Sequence, residues 1–317
     1  MLLSVGVLSY NHSSYIKECL DSVLMQQVDF DFEIVVGDDG STDGTQDILK
    51  TYAADYPDRF VLLMSQENEG ISRNYQKVLS RCKGEYIALC EGDDYWTATD
   101  KLQKQVDFLK GHVEYGFVGS YGQLLFPDGT IKDDPYSFLP QPKMENGWEL
   151  YGDVFEYAKS GPVTRTVSLC FRRSIILPYL EYEGTGNDLV LQTILAKESK
   201  FAKYHDCMVM YRQGGISTDR FDMEKQLYYN KWYVQNRLLQ KQLFPEDCGW
   251  NEDELNDRET YIRLRYAIYQ CRLGESKRFK RLLKSEKYKN KKYAKHLHGF
   301  ISMLCLACYQ RLTSNHG

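Results

Sequence analysis

Two rhythms of apolar positions alternate over the first hundred residues. Residues 3–9 (LSVGVLS) read as a short buried strand. Residues 13–26 switch to helical spacing, with Ile16, Leu20, Val23 and Leu24 on one face and Ser13 as the expected N-cap. Phe32 to Val36 is a second apolar run, and Thr45 to Tyr56 is helical again. Phe60 to Met64 predicts a third strand, Ile71 to Arg81 a helix, and Tyr86 to Leu89 a fourth strand. Strands alternating with helices predict an α/β class with a mostly parallel sheet and helices on its faces. Such sheets bind ligands outside the carboxyl ends of their strands. The segments SYNH, GDDGSTDGT and CEGDDYW each follow a strand, so they are expected to gather at one sheet edge.

The rhythm continues less regularly. Asp100 to Lys110 predicts a helix, and Gly116 to Phe126 a strand ending in the turn PDG. Residues 132–165, with Pro135, Pro140, Pro142 and Pro162, predict a long irregular region. Thr166 to Arg172 reads as a strand, Asp188 to Lys197 as a helix and Met208 to Tyr211 as a short strand. Beyond about Asp222 the spacing is helical to the end. There is no useful internal repeat or low-complexity segment.

Composition narrows the class. With 317 residues, 43% hydrophobic and 26% charged, the chain is typical of globular proteins with a substantial core. Its nine cysteines include no CxxC pair and no metal-ligand spacing, so most read as buried small hydrophobes in a reducing cytosol. The N-terminus enters the first strand without a basic n-region or a long apolar h-region, so no signal peptide is expected. No apolar run reaches the roughly 20 residues that span a bilayer.

Two acidic segments carry candidate chemistry. In ALCEGDDYW (88–96) a buried strand ends in Glu91, Asp93 and Asp94. Crowded carboxylates at a strand end suit a cation that carries phosphates, and they also suit a solvated turn. In GDDGSTDGT (37–45) no Lys follows, which excludes a phosphate loop of the GxxxxGK type, and GxGxxG is absent. Acidic residues there would repel a pyrophosphate, but a carboxylate accepts hydrogen bonds from a ribose hydroxyl or a base N–H. A simple capped turn would use the same residues.

LSYNHSSYIKECLDSVLMQ, FEIVVGDDGSTDGT, NEGISRNYQKVL and KGEYIALCEGDDYW occur in this order over residues 1–96. Together they closely resemble the family-2 glycosyltransferases, the inverting group with the GT-A fold, and the resemblance extends to about Ser217. It implies a catalytic domain over 1–222, divided into a nucleotide-binding half (1–96) and an acceptor half (97–222), followed by a helical region over 223–317. It implies a UDP-sugar donor, with Asp39 reading the base, Asp38 supporting it, and Ser9 and Tyr10 walling the nucleoside pocket. Asn68 and Arg73 match polar positions near the nucleotide, and a surface helix residue is the plain alternative for Arg73. Asp93 matches the position that coordinates Mn2+ or Mg2+ on the diphosphate. Glu91 stands where the family usually has Asp, so it is open to contact with sugar or ribose rather than metal, and Asp94 is expected at the donor sugar. Trp96 is open to stacking on a sugar or burial in the core. The family's acidic pair before a later helix has become Asn187–Asp188, which leaves Asp188 as the candidate general base, with a helix N-cap as its alternative. In YRQGGIS (211–217), Arg212 is expected near the leaving phosphate. His12 and His205 are read as structural or incidental.

Net charge is −4 but unevenly spread: residues 258–317 carry 15 Lys and Arg against 3 Asp and Glu. The preceding 257 residues hold 25 against 41. A basic amphipathic stretch followed by GFISMLCLACY suits anionic lipid headgroups, and it also suits a solvated helix packed on the catalytic domain. Nothing in the body resembles a nucleic-acid reader. The combined expectation is a bacterial enzyme of O-antigen or capsule assembly, cytoplasmic or peripheral on the inner membrane, acting on a glycan or lipid-linked glycan acceptor. A nucleotidyltransferase is disfavoured because SYNHSS is no Gly-rich basic loop. A catalytically inactive glycan-binding scaffold is the non-enzyme alternative.

Overall fold

The structure is a computed structural model, and it describes residues 1–134, 139–182, 187–214 and 234–248. In chain order the elements begin β1 (Leu3–Ser9), α1 (Ile16–Leu24), β2 (Phe32–Asp38), α2 (Thr45–Asp55), β3 (Phe60–Met64), α3 (Ile71–Arg81) and β4 (Tyr86–Glu91). Then come β5 (Tyr95–Trp96), α4 (Lys101–Gly111), β6 (Tyr115–Leu125), β7 (Ile131–Asp133), β8 (Lys143–Glu145), β9 (Trp148–Leu150) and α5 (Phe155–Ser160). The series closes with a 3-10 turn at Thr166–Ser168, β10 (Cys170–Arg172), α6 (Arg173–Ile176), a second 3-10 turn at Leu177–Tyr179, α7 (Asp188–Glu198) and β11 (Lys200–Arg212).

The strands form one sheet in the order β3-β2-β1-β4-β10-β6-β11-β9-β8. β1, β2, β3 and β4 are parallel, and β6 and β11 are parallel to each other. β10 is inserted antiparallel between β4 and β6. From β1 the chain winds outward to β3 and then crosses back to β4 on the other side of β1. That reversal makes the β1–β4 boundary a topological switch point, where a crevice opens outside the strand ends. Leu8 pairs with Glu91 and Ser9 with Asp38, so all three expected polar segments emerge at that edge.

β1, β2 and β4 are buried almost throughout, as parallel strands covered on both faces must be, while the edge strand β3 is only partly buried. Ile16, Cys19, Leu20 and Val23 of α1 pack with Val5, Val7, Ala88 and Cys90 of the sheet and with Leu102 and Val106 of α4 in one core. Trp96 belongs to this core: it is 1% exposed, and its indole N–H donates to the Val167 carbonyl at 2.8 Å.

Three local expectations change. Ser13 does not cap α1; Tyr15 holds the N-cap position, and the Ser13 backbone N–H donates to Asp43 instead. Residues 132–165 are not one irregular stretch but contain β8, β9 and α5. The three-residue strands are too short to show alternation, yet Asn146 (φ 50°) and Gly147 (φ 81°) form the two-residue turn that joins them. Asn-Gly is a strong hairpin signal because both central residues need positive φ. The segment 166–172 is strand only from Cys170, and its first half is the 3-10 turn.

Two compact units divide the chain: residues 1–215 with 239–248, and residues 216–238 with 249–317. In the first unit, Gln240 donates to Thr193 at 2.6 Å, Asp247 pairs with Lys197 at 2.6 Å and Phe244 packs edge-on to Phe155. Residues 234–243 are helical. The basic stretch 258–317 lies outside the described residues, as does most of the expected helical region. Among the described residues no helix is long and apolar enough to cross a membrane.

Candidate functional site

The loops after β1 and β2 are zipped together. The Asn11 N–H donates to Ser41 Oγ at 2.8 Å, and Asn11 Oδ1 accepts the Thr42 N–H at 2.9 Å. The His12 N–H donates to Thr45 Oγ1, and the Ser13 N–H to Asp43, each at 2.9 Å. Burial works to raise the Asp43 pKa, but hydrogen bonds from Thr45 and Ser13 outweigh it and hold the carboxyl well below the usual range.

Asp38 and Asp39 divide their tasks within this loop. Asp38 is fully buried and accepts from the Ser41 N–H, the Ser41 hydroxyl and Gln46 at 2.9, 2.5 and 2.8 Å. It is a scaffold for the turn. Asp39 accepts the backbone N–H groups of Glu69 and Gly70, at 2.8 and 3.0 Å, from the start of α3. Burial raises its pKa, with the two N–H groups pulling the other way. A carboxylate has about four acceptor sites, so two remain for a ligand. Ser9 ends β1 with its hydroxyl buried and without a partner, and Tyr10 is 41% exposed beside it. Asn68 is exposed in the loop before α3. Arg73 is also exposed and pairs with Glu69 at 3.2 Å, one turn from the carboxylate site.

The turn after β4 holds the acidic cluster. Asp94 is 1% exposed; its Oδ1 accepts the Arg212 N–H at 2.8 Å, and its Oδ2 has no partner. Burial and the charges of Asp93 and Glu91 push its pKa well up. Glu91 Oε2 is likewise buried without a partner. Burial, then the charges of Asp93 and Asp188, lift Glu91 to about 8, while the Thr166 side chain donates a hydrogen bond to it. Asp93 is half-buried between them.

Asp188 begins α7. Asn187, not Asp188, is the N-cap, its side chain accepting the Val190 N–H at 2.9 Å. Among the described residues Asp188 accepts from the adjacent Leu189 N–H alone, at 2.8 Å. Burial raises its pKa, with the Leu189 N–H and the Arg165 charge opposing. Arg212, at the end of β11, donates from its guanidinium to the Asp93 carbonyl at 2.6 Å and to Glu18, and it lies over the rings of Tyr15 and Tyr95 at 5.0 and 4.9 Å.

A cation is the open question at this cluster. Among the described residues no three His, Cys, Asp or Glu side chains converge as a ready metal cage. The chemistry of the donor set nevertheless fits a cation shared with phosphate oxygens. Among the described residues two enclosed carboxylate oxygens lack partners, and burial, then the neighbouring carboxylate charges, raise the pKa values of Glu91 and Asp94. Three further residues at the site were not anticipated from sequence: Thr166 on Glu91, Glu18 on Arg212, and Tyr75, whose buried hydroxyl feels both Glu91 and Asp188. Tyr75 sits in NEGISRNYQKVL, two places after Arg73, where its apolar helix phase reads simply as core.

The glycosyl transferase family 2 sequence model matches residues 4–172, just over half of the chain. The chain belongs to that family. TuaG of Bacillus subtilis (strain 168), a glycosyltransferase assigned to teichuronic acid biosynthesis, is 30% identical over 233 residues, covering 72% of this chain and 86% of TuaG. Uncharacterized mycobacterial relatives are 42% identical over 134 residues, and the match spans 38% of their length. Among solved structures, S. aureus TarS 1–349 in complex with UDP-GlcNAc superimposes with a TM-score of 0.54 at 18% identity, over 84% of this chain and 72% of that one. The mannosyltransferase PcManGT from Pyrobaculum calidifontis, in complex with GDP-Man and Mn2+, gives a TM-score of 0.51 at 17% identity, over 98% and 83%. The fold of this family 2 chain is GT-A.

Proposed function

We propose that this chain is an inverting glycosyltransferase that moves a hexose or N-acetylhexosamine from a UDP-sugar to a hydroxyl of a glycan acceptor. The observation that carries the reading is a division of carboxylates across the switch point. Asp39, held by the start of α3, would face the nucleoside; Glu91, Asp93 and Asp94 share the turn after β4; and Asp188 stands near enough for its charge to reach Glu91. A sugar between the acidic turn and Asp188 would have its leaving group on one side and its nucleophile on the other.

In this reading Asp39 accepts from the base, with Ser9, Tyr10 and Asn68 around the nucleoside. Arg73 and Arg212 would exchange carboxylate partners for phosphate oxygens, since a guanidinium forks onto two of them. Asp93, with Asp94 beside it, would hold Mn2+ or Mg2+. When bound, such a cation neutralises charge on the departing diphosphate. Asp188 takes the proton of the attacking acceptor hydroxyl as the new bond forms, and no covalent enzyme intermediate is required. UDP and UDP-GlcNAc in TarS, and Mn2+ in PcManGT, support the donor class and the cation by fold likeness. TuaG supports a bacterial surface-polysaccharide setting, such as capsule or O-antigen. The basic stretch over 258–295 supports a polyprenyl-diphosphate-linked acceptor at the cytoplasmic face of a membrane.

The test is release of UDP from a panel of UDP-sugars with and without Mn2+. Turnover of one donor that needs the cation and is lost in Asp93→Ala supports the reading. No turnover or binding of any UDP-sugar, with lipid-linked acceptors present, sinks it.

A further inference from the structure

α3 crosses the sheet at close range. Val78 lies where a Cβ on Gly6 or Gly37 would stand, at 2.9 and 2.5 Å, and Leu89 approaches the same Gly6 position at 2.9 Å. Leu89 therefore points to the α3 face of β4. Side chains alternate along a strand, so Glu91 points to that face as well, while Cys90 turns the other way and meets Cys19 at 3.5 Å. Glu91 stands two residues beyond Leu89, roughly 7 Å toward the carboxyl edge. α3 begins at that edge, where Gly70 meets Asp39. Tyr75 precedes Val78 by three residues, which sets it about 4.5 Å nearer the edge on a helix rising 1.5 Å per residue. The two side chains thus come to the same level from facing elements, and the charges of Glu91 and Asp188 both reach the Tyr75 hydroxyl.

Tyr75 is 2% exposed, and its Oη has no hydrogen-bond partner among the described residues. Glu91 Oε2 is enclosed and unpartnered too. A buried donor and a buried acceptor at the same level, neither with a partner among the described residues, could both be satisfied by one group able to accept and to donate. A sugar hydroxyl is such a group.

We propose that Tyr75 Oη and Glu91 Oε2 jointly bind one hydroxyl of the transferred sugar, and so select the donor. This rests on reading the chain as a nucleotide-sugar transferase. The location favours the transferred sugar over the acceptor, because Glu91 belongs to the acidic turn and the Asp188 charge reaches both Glu91 and Tyr75. The tyrosine donates to the sugar oxygen, and that hydroxyl donates to Glu91. A donor lacking the hydroxyl would strand both partners, which is how polar sites reject a deoxy analogue.

The experiment compares kcat/KM of the full chain and its Tyr75→Phe variant on the best UDP-sugar and on monodeoxy analogues at each ring position. One deoxy position is expected to lose roughly 10- to 100-fold in the wild type and nothing further in Tyr75→Phe. Glu91→Gln is expected to single out the same position. Ligand-free Tyr75→Phe should melt no lower than the wild type, since the deleted hydroxyl has no partner in the fold, and UDP should bind both equally. Additive losses at every position, different positions for the two variants, a loss confined to acceptor analogues, or a lower melting temperature would each overturn the proposal. A wild type that binds no UDP-sugar would remove the transferase reading itself and this subsite with it.

Discussion

Asp94 Oδ1 accepts the backbone N–H of Arg212 at 2.8 Å, which ties the acidic turn after β4 to the last residue of β11. Because the bond uses the backbone, the Arg212 guanidinium is left to other work. It reaches the Asp93 carbonyl and the exposed carboxylate of Glu18. If Arg212 holds the diphosphate as proposed, Glu18 competes with it for the guanidinium. Glu18→Gln is therefore expected to tighten UDP binding several-fold, and Arg212→Ala to weaken it about tenfold. The double variant should match Arg212→Ala, since Glu18 acts only through Arg212. Calorimetric titration of UDP into the three variants checks this, and an additive double variant would refute the competition.

The Asp39 carboxylate is positioned by two N–H groups of the α3 start and not by a side chain. Asp39→Ala removes the proposed base-reading acceptor and leaves the Glu69 and Gly70 N–H groups without their partner. Loss of about 10- to 100-fold in UDP affinity is expected, the range for hydrogen bonds to a charged group. Asp38→Asn should act differently. Its bonds to Ser41 and Gln46 hold the loop, so the chief effect is a lower melting temperature. Paired calorimetric and thermal-melting measurements separate the two aspartates.

The first 96 residues were legible in the sequence because their signals are local. Strand, turn and helix each fall within a dozen residues, and β3 and α3 start and stop where the apolar rhythm does. The second half was not, because its order depends on distant partners. β11 runs for 13 residues, but Lys203, His205 and Asp206 interrupt its apolar pattern. His205 and Asp206 fall at a register shift beside β6, and Lys203, in regular register, lies over the Tyr121 ring at 3.7 Å. Glu18 at the site was equally hidden, since its partner Arg212 lies 194 residues away. Asp188 was legible as a helix start, but its freedom from capping depends on Asn187 taking that role.

Lys101 is fully buried at the start of α4, with its ammonium over the Trp96 ring at 4.2 Å and donating to Gln105 at 2.8 Å. Burial lowers its pKa to about 8 against an ordinary 10.5. The folded state therefore releases this proton before the unfolded state does. The penalty of the buried charge is full below pH 8 and is relieved as pH rises from about 8 to 10.5. Lys101→Met should melt above the wild type at pH 7, with its advantage shrinking toward pH 10. Melting curves of both proteins across that range check the sign, and a constant difference would count against it.

Asp188 stands at the first turn of α7, yet the cap belongs to Asn187, and among the described residues Asp188 accepts only the N–H of its neighbour Leu189. The two roles can therefore be separated by mutation. Asp188→Asn keeps the volume and leaves the Asn187 cap intact, so the melting temperature should change little. A general base supplies typically about 10²- to 10⁴-fold, so kcat should fall by that order while UDP affinity holds. The pH profile gives an independent sign. Burial raises the Asp188 pKa, so the ionised form that accepts a proton appears at higher pH than for an ordinary aspartate. The acidic limb of kcat/KM should lie correspondingly above the usual carboxylate range and should be absent from the residual activity of Asp188→Asn. Asn187→Ala offers the converse: the lost cap lowers stability by about 1 kcal/mol. A helix that frays there would also lower kcat through misplacement of Asp188, without moving the acidic limb upward. An unchanged kcat in Asp188→Asn would send the search for the base to the remaining carboxylate within its reach, Glu91.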